Sequence, residues 1–485
     1  MATMKADLEG DVPMFTFNNN AITNIVVNGR LERDLFNGVL QARDPDLFLD
    51  FDGLADLRGK WPKVDFEANV QHADLRKLGL MPGEGYNSLS ARITAQGELA
   101  PDSLKGELVL ERLTYCDGPD EFDIGDLRLR SDRRDGQPVM ELESSVVDAK
   151  VVGPFFPTRL PDAFLSVAYS VFPSLQDEVV YKQEDQHFTF DLEVKRAQGL
   201  LNRFVPGLVV SAGTKVSGYF DSRVFDMSVD ADVPFISYGA FSGDSVHIIL
   251  DKTLDVLAFS FNSARQTLSD STFLSGIALT GKAYQDEVEL RAGWSGSSNG
   301  TEGDLAVVGQ VMGLRSYEFD LLPSKLFFGR GLWQSNGTAH FTIDSSTVVV
   351  DSLQLENEGQ RVLLDGVVSR DPAQALDFAV TNVLLENVMP FYKGPQLHGI
   401  LNGEGRIFDA YGAPVLLSYL CADSLTIGEE RVGDIRVSAS WNEGQRFVEL
   451  AGQLQRDTLK ALDFEGTFSP GAEEELNARL LFDRF

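Results

Sequence analysis

Cysteine is nearly missing from this 485-residue chain: Cys116 and Cys421 are the only two. That excludes a disulfide scaffold, and their distance along the chain predicts two unpaired thiols. Histidine is scarce too. His72, His187, His247, His340 and His398 are scattered with no metal-ligand spacing. Basic residues are in deficit, 42 Lys and Arg against 73 Asp and Glu, for a net charge of −31. Nucleic acids and other polyphosphates need a basic footprint, and docking on an anionic membrane needs a basic patch. The sequence supplies neither, and its acidity is spread along strands and turns as a solvated exterior. An uncharged apolar run of about 18 residues, the minimum for a transmembrane helix, is absent. The opening MATMKADLEGDVPMF lacks the basic and apolar regions of a signal peptide. P-loop, Rossmann and G-x-S-x-G signatures are also missing.

What is present is a repeated module. An alternating strand reads Val64-Asp65-Phe66-Glu67-Ala68-Asn69-Val70. It returns as Phe188-Thr189-Phe190-Asp191-Leu192-Glu193-Val194 and as Leu376-Asp377-Phe378-Ala379-Val380-Thr381. A Gly-Asp pair follows at nearly the same distance each time: Gly125-Asp126, Gly243-Asp244 and Gly433-Asp434. Each pair is expected to be a turn that opens a further strand. A repeated β unit argues for an elongated sheet that repeats one surface, rather than a globule with one active site.

Period-2 alternation dominates elsewhere. Ile435, Val437, Ala439 and Trp441 fall on one face, while Arg436, Ser438 and Ser440 fall on the other. The pattern predicts antiparallel strands with one apolar and one wet face, joined by turns such as Asp135-Gly136, Asn357-Glu358-Gly359 and Asn442-Glu443-Gly444. Helical signals are few: Leu160 to Val179, broken near Pro173, and single turns at Asp74 to Leu80 and Leu200 to Phe204. Ser295 to Gly303 reads as a flexible loop. No Pro-rich or Ser-rich linker interrupts the chain, so one continuous structure over 1–485 is expected. Its approximate modules are 1–60 (partial), 61–157, 158–270, 271–345 (irregular) and 346–485. The length supplies roughly 30–40 strands, far beyond the ~10 that an open twisted sheet holds. The fold class is therefore all-β: a long, mostly antiparallel sheet with a few short helices. It must coil with its apolar face inside, as a filled solenoid or as a trough.

Catalytic constellations are lacking. Gly243-Asp244-Ser245 with His247 nearby suggests a serine hydrolase, but the Gly-Asp pair recurs without the serine, so a turn explains all three copies where a nucleophile explains one. Asp44, Asp46, Asp50 and Asp52 alternate with Leu47, Leu49 and Phe51. Their spacing is not that of a calcium loop, and a turn followed by a half-buried strand is expected. The chain is read as a non-enzyme with no cofactor and no metal.

Several segments resemble the repeat region of TamB-like proteins (translocation and assembly module), in the AsmA-like group. They are VDFEANVQHADLRKLGL, FTFDLEVKRAQGLLNRFVPGL, LDFAVTNVLLENVMPF, LHGILNGEGRI, LTIGEERVGDIRVSASW and LDFEGTFSP. The resemblance implies a sheet folded lengthwise into a trough, within an inner-membrane-anchored envelope protein that crosses the periplasm. It implies conduction of phospholipid acyl chains to the outer membrane. It also implies support of outer-membrane protein assembly and secretion with an Omp85-type barrel. The chain opens directly in strand-like sequence (Met14 to Phe17) and closes at Leu480-Leu481-Phe482, so an internal segment is expected, with anchor and barrel contacts outside it. Candidate groove-lining residues are Phe66, Val70, Phe188, Phe190 and Leu192 in the first half. In the second they are Phe378, Val437, Trp441, Leu450, Phe464 and Phe468. The rival reading is a structural or adhesive β-solenoid whose interior is packed solid. In a trough, the helix after Leu160 is expected to lie across the opening as a cap.

Overall fold

The alternating segments fold as strands. The computed structural model describes residues 5–482 apart from 84, 101–104, 177–184, 240, 270–271, 298–301, 329–330, 372, 388–395, 410, 412–414, 443–446, 457–458 and 469–475. Among the described residues there are 33 strands, and they pair antiparallel with near neighbours in the chain. The helices are Leu160–Val171 and Gln198–Phe204, with 3-10 turns at Pro157–Arg159, Pro173–Leu175 and Leu385–Asn387. The chain divides into two compact units, Met1–Val167 with Val180–Leu254, and Ala168–Val179 with Asp255–Phe485.

The three repeat strands are Lys63–Asp74, His187–Val194 and Ala375–Leu384. Each is followed by a short apolar insert: the turn carrying Leu78, the helix Gln198–Phe204 carrying Leu200, and the 3-10 turn carrying Leu385. Leu78 packs on Ile22, Ile25, Ala42, Val70 and Ala73. Leu200 packs on Ala91, Leu113, Ile124 and Val146, and Leu385 on Ala422 and Leu425. The core therefore concentrates where an insert folds back onto the apolar face, because a single sheet face cannot bury itself.

The Gly-Asp pairs are not turns. Gly125-Asp126 lies inside the strand Asp120–Arg134, Gly243-Asp244 inside Phe241–Thr253 and Gly433-Asp434 inside Glu430–Asn442. At the first, the register passes from Leu110↔Leu127 to Leu113↔Gly125, leaving an extra residue on the neighbouring strand. Arg112 there takes φ 52°, and the Asp126 carboxylate accepts its N–H at 2.9 Å. Asp434 does the same for Ser424, φ 53°, at 2.8 Å. Asp365 serves Ser352 (φ 60°) at 3.0 Å, and Asn402 serves Asn382 (φ 52°) at 2.8 Å, each beside a glycine. A left-handed residue in a bulge turns its N–H away from the ladder, so an acceptor on the adjacent strand must meet it. In Gly243-Asp244 the left-handed residue is Ser245 itself, φ 50°. Gly-Asp is turn-like in composition, but strand-forming sequence on both sides carries the ladder through it.

Other expectations meet different outcomes. The helix after Leu160 ends at Val171, and Pro173 starts the 3-10 turn that follows; residues 177–179 of the expected span lie outside the described residues. Within Ser295 to Gly303, Gly296–Ser297 pairs with Leu274 and Ser275 as a short strand and Glu302 opens the next, while 298–301 lie outside the described residues. Asp135-Gly136 and Glu358-Gly359 form two-residue hairpin turns with both φ values positive, as Asp-Gly and Glu-Gly steps between strands favour. Asn442 ends a strand, and residues 443–446 lie outside the described residues. Gln198–Phe204 is helical as expected, and Leu78 N–H closes onto the Asp74 carbonyl at 2.9 Å in the expected helical turn.

Candidate functional site

Directly opposed residues in an antiparallel ladder share a face, so register shows what each face presents. In the first unit one row begins Leu8, Gly29, Gly38, Gly53, Phe66, Ala95 and Leu108. It continues Leu129, Leu142, Ala149, Leu192, Val216, Ala231 and Ile248. No polar side chain interrupts it. The next row on that face runs Val64, Gly97, Gly106, Ser131, Met140, Val151, Phe190, Gly218 and Val229. Phe66 and Leu192, predicted from separate repeats, thus stand in one row, with Phe190 beside them.

Cover over this face is uneven. At one end of the strands Val70 is buried under the Leu78 insert. At the other, Phe188 is buried with Phe220 and Met227 beneath Ala163 and Val167 of the helix. The Phe164 and Phe220 rings lie 5.3 Å apart, and Phe188 and Phe220 5.5 Å apart. Between these ends, Phe66, Leu108, Leu129, Leu142, Leu192, Val216 and Phe190 are only half-buried. The helix covers one margin of the apolar face.

The second unit repeats the arrangement of rows. One runs Leu257, Ala283, Val288, Gly309, Phe319, Phe341 and Val350, then Gly366, Leu376, Ile407 and Leu416. Phe319 and Phe341 stack at 4.8 Å. A second row on that face holds Leu364, Phe378, Gly405, Ser418, Ala439 and Leu450. A third holds Leu420, Val437, Gly452 and Phe464. Trp441 and Phe468 each oppose Val448 in the ladder. Phe378, Val437, Leu450 and Phe464 are half-buried. Several phenylalanines lie across a glycine of the adjacent strand: a Cβ at Gly405 would come 2.6 Å from the Phe378 ring, and one at Gly218 3.0 Å from that of Phe190. A ring laid over a glycine fills the space that residue leaves bare. Leu108, Leu129, Leu142 and Val216 were missed as candidates, although strand alternation carries the same signal in each.

The opposite face is wet and charged. Glu107 takes Arg128 at 3.3 Å and Arg130 at 2.9 Å, Glu141 takes Arg134 at 2.7 Å, and Asp148 takes Lys195 at 2.6 Å. The hydrogen bond from Arg134 lowers the Glu141 pKa, and the one from Lys195 lowers that of Asp148. Asp44 serves a turn: Thr23 Oγ1 donates at 2.6 Å and Thr23 N–H at 2.8 Å to one oxygen, Asp46 N–H at 2.9 Å to the other. Burial works to raise the Asp44 pKa, but these hydrogen bonds hold it below the ordinary value. Asp50 pairs with Arg43. Asp230, Asp232 and His247 bring ligand atoms within 4.8 Å of one another, a grouping hidden in sequence because it spans two strands. His247 Nδ1 already bonds Asp232 at 2.7 Å, and Lys215 opposes Asp232 from the other side, so the group forms an outer-face ion cluster. Cys116 and Cys421 are free thiols. Among the described residues no helix is long and apolar enough to cross a membrane.

No protein-family model matches this chain, and no curated protein matches it.

Proposed function

We propose that the chain carries phospholipid acyl chains along its apolar face, as a segment of an envelope bridge between inner and outer membrane. On this reading it works in the periplasm, anchored to the inner membrane through parts outside this segment. It supports outer-membrane protein assembly and secretion beside an Omp85-type barrel. The observation that carries the proposal is the row from Leu8 to Ile248, free of polar side chains and half-buried through much of its middle. A packed solenoid would seal such a row, because exposed hydrocarbon costs about 25 cal/mol per Å². A conduit leaves it accessible: each CH₂ of a guest chain gains about 0.8 kcal/mol on leaving water, and the surface recurs at every strand without a polar barrier. The face would curl into a trough, with headgroups in water along the open margin.

The test is native mass spectrometry with lipid extraction on protein purified from a membrane-containing host. Several phospholipids per chain are expected. Leu129→Asp with Leu192→Asp should remove most of them while circular dichroism stays unchanged. A folded, lipid-free chain would favour the structural or adhesive solenoid instead.

A further inference from the structure

The strand Lys5–Phe17 is 13 residues long and, among the described residues, pairs with Asn20–Glu32 alone. Its other edge presents backbone N–H and C=O groups outside any ladder, which is a template for a further strand. Three rows of the first unit's apolar face start on it. Leu8 opens the row described above. Gly10 opens Val27, Leu40, Phe51 and Ala68, and Val12 opens Ile25, Ala42, Leu49 and Val70. At Gly10 a Cβ would meet nothing within 4 Å. Elsewhere a strand glycine faces an aromatic ring across the ladder: Gly218 faces Phe190, Gly281 faces Phe259 and Gly452 faces Phe464, and a Cβ on each glycine would strike that ring. Gly10 has Val27 on its paired side and no ring over it, so an incoming strand finds room there for an aromatic side chain.

The wet face of the same strand selects by charge. Asp7, Glu9 and Asp11 alternate there, and all three are exposed. Arg30 approaches Asp7 at 3.9 Å. Glu9 instead opposes Asn28 and Asp11 opposes Val26, and neither acid is in an ion pair among the described residues. A second copy of the strand laid antiparallel about Glu9 would set Glu9 against Glu9 and Asp7 against Asp11. Like charges directly opposite each other are destabilising, so the edge disfavours its own kind. Lysine or arginine at two alternate positions of an incoming strand reverses the sign.

We propose that this edge takes an extended segment of a partner polypeptide by strand addition. Its basic residues would face Glu9 and Asp11, an aromatic would face Gly10, and apolar residues would face Leu8 and Val12. The assignment does not rest on lipid carriage, because it uses the backbone edge and the charges beside it.

Fluorescence anisotropy with labelled synthetic peptides of the length of Lys5–Phe17 tests it. One peptide carries Lys opposite Glu9 and Asp11 with Phe between them, and its twin carries Glu at both lysines. The lysine peptide should bind about tenfold more tightly, the scale of two cross-strand charge pairs turned from repulsion to attraction. The difference should shrink as salt rises. Glu9→Lys with Asp11→Lys should invert the preference; both positions are exposed, so circular dichroism should stay unchanged. Two further lysine peptides, methylated on the odd or on the even backbone nitrogens, should separate, because only one set of N–H groups faces the edge. Equal binding of lysine peptide and twin, no binding of either, or full affinity in both methylated peptides overturns the site. These comparisons use the parent chain and so decide even if the double variant fails to fold. A preference that a folded double variant keeps overturns it as well. So does a parent dimer in sedimentation equilibrium that the lysine peptide cannot dissociate, which would put a second copy on the edge.

Discussion

The two margins of the first unit's apolar face and the rows between them are built from the same residue types, yet they end in opposite states. At the margins, Val70 and Phe188 are packed under Leu78 and under the helix Leu160–Val171. Between them Phe66, Leu129 and Leu192 alternate in the same way but stay half-buried. The difference lies in the inserts that follow or precede a repeat strand, not in the strands. Stability and accessible hydrocarbon are thus separated along one strand: the ends hold the sheet, and the middle presents a surface.

The comparison breaks most sharply at Phe220, which is 1% exposed beneath the helix. Phe220→Ala should cost about 3–5 kcal/mol, read as a fall in the urea midpoint; a loss comparable to that at an open-row position would erase the distinction between margin and middle. Leu129→Ala in the open row should cost only about 1 kcal/mol, roughly half of a full leucine burial, while lowering lipid occupancy. Asp126→Ala removes the acceptor for the Arg112 N–H and should cost about 1 kcal/mol, whereas Asp126→Asn should recover most of it. An unchanged melting curve for the alanine variant would show that the bulge needs no clamp.

The smallest effect concerns pH. Hydrogen bonds from the Thr347 side chain and from the Ser346 and Thr347 N–H groups lower Asp344 from 3.8 to about 2. A carboxylate with a depressed folded pKa contributes stability above its unfolded value, and that contribution is lost as pH falls through about 2. The melting temperature should therefore decline slightly between pH 4 and pH 2, less so in Asp344→Asn. Equal slopes for the two proteins would remove Asp344 from the account.

Legibility differed from element to element. The repeat strands and the sidedness of Phe66, Phe190, Leu192, Phe378 and Leu450 were readable because a strand's period of two fixes which side each residue takes. The Gly-Asp signal was real, but its meaning was not local: whether Asp126 ends a strand or clamps a bulge depends on Arg112 in the neighbouring strand. Val70 and Phe188 look like Phe66 in sequence, and nothing within their own strands announces the Leu78 insert or the helix above them.

By itself, then, the sequence determined an antiparallel, two-faced sheet with unpaired thiols, because alternation and composition act over a few residues and need no distant partner. Only the tertiary structure decided which apolar residues are sealed and where bulges replace turns. Those outcomes depend on strand register and on inserts folding back, which bring together residues that no local pattern relates.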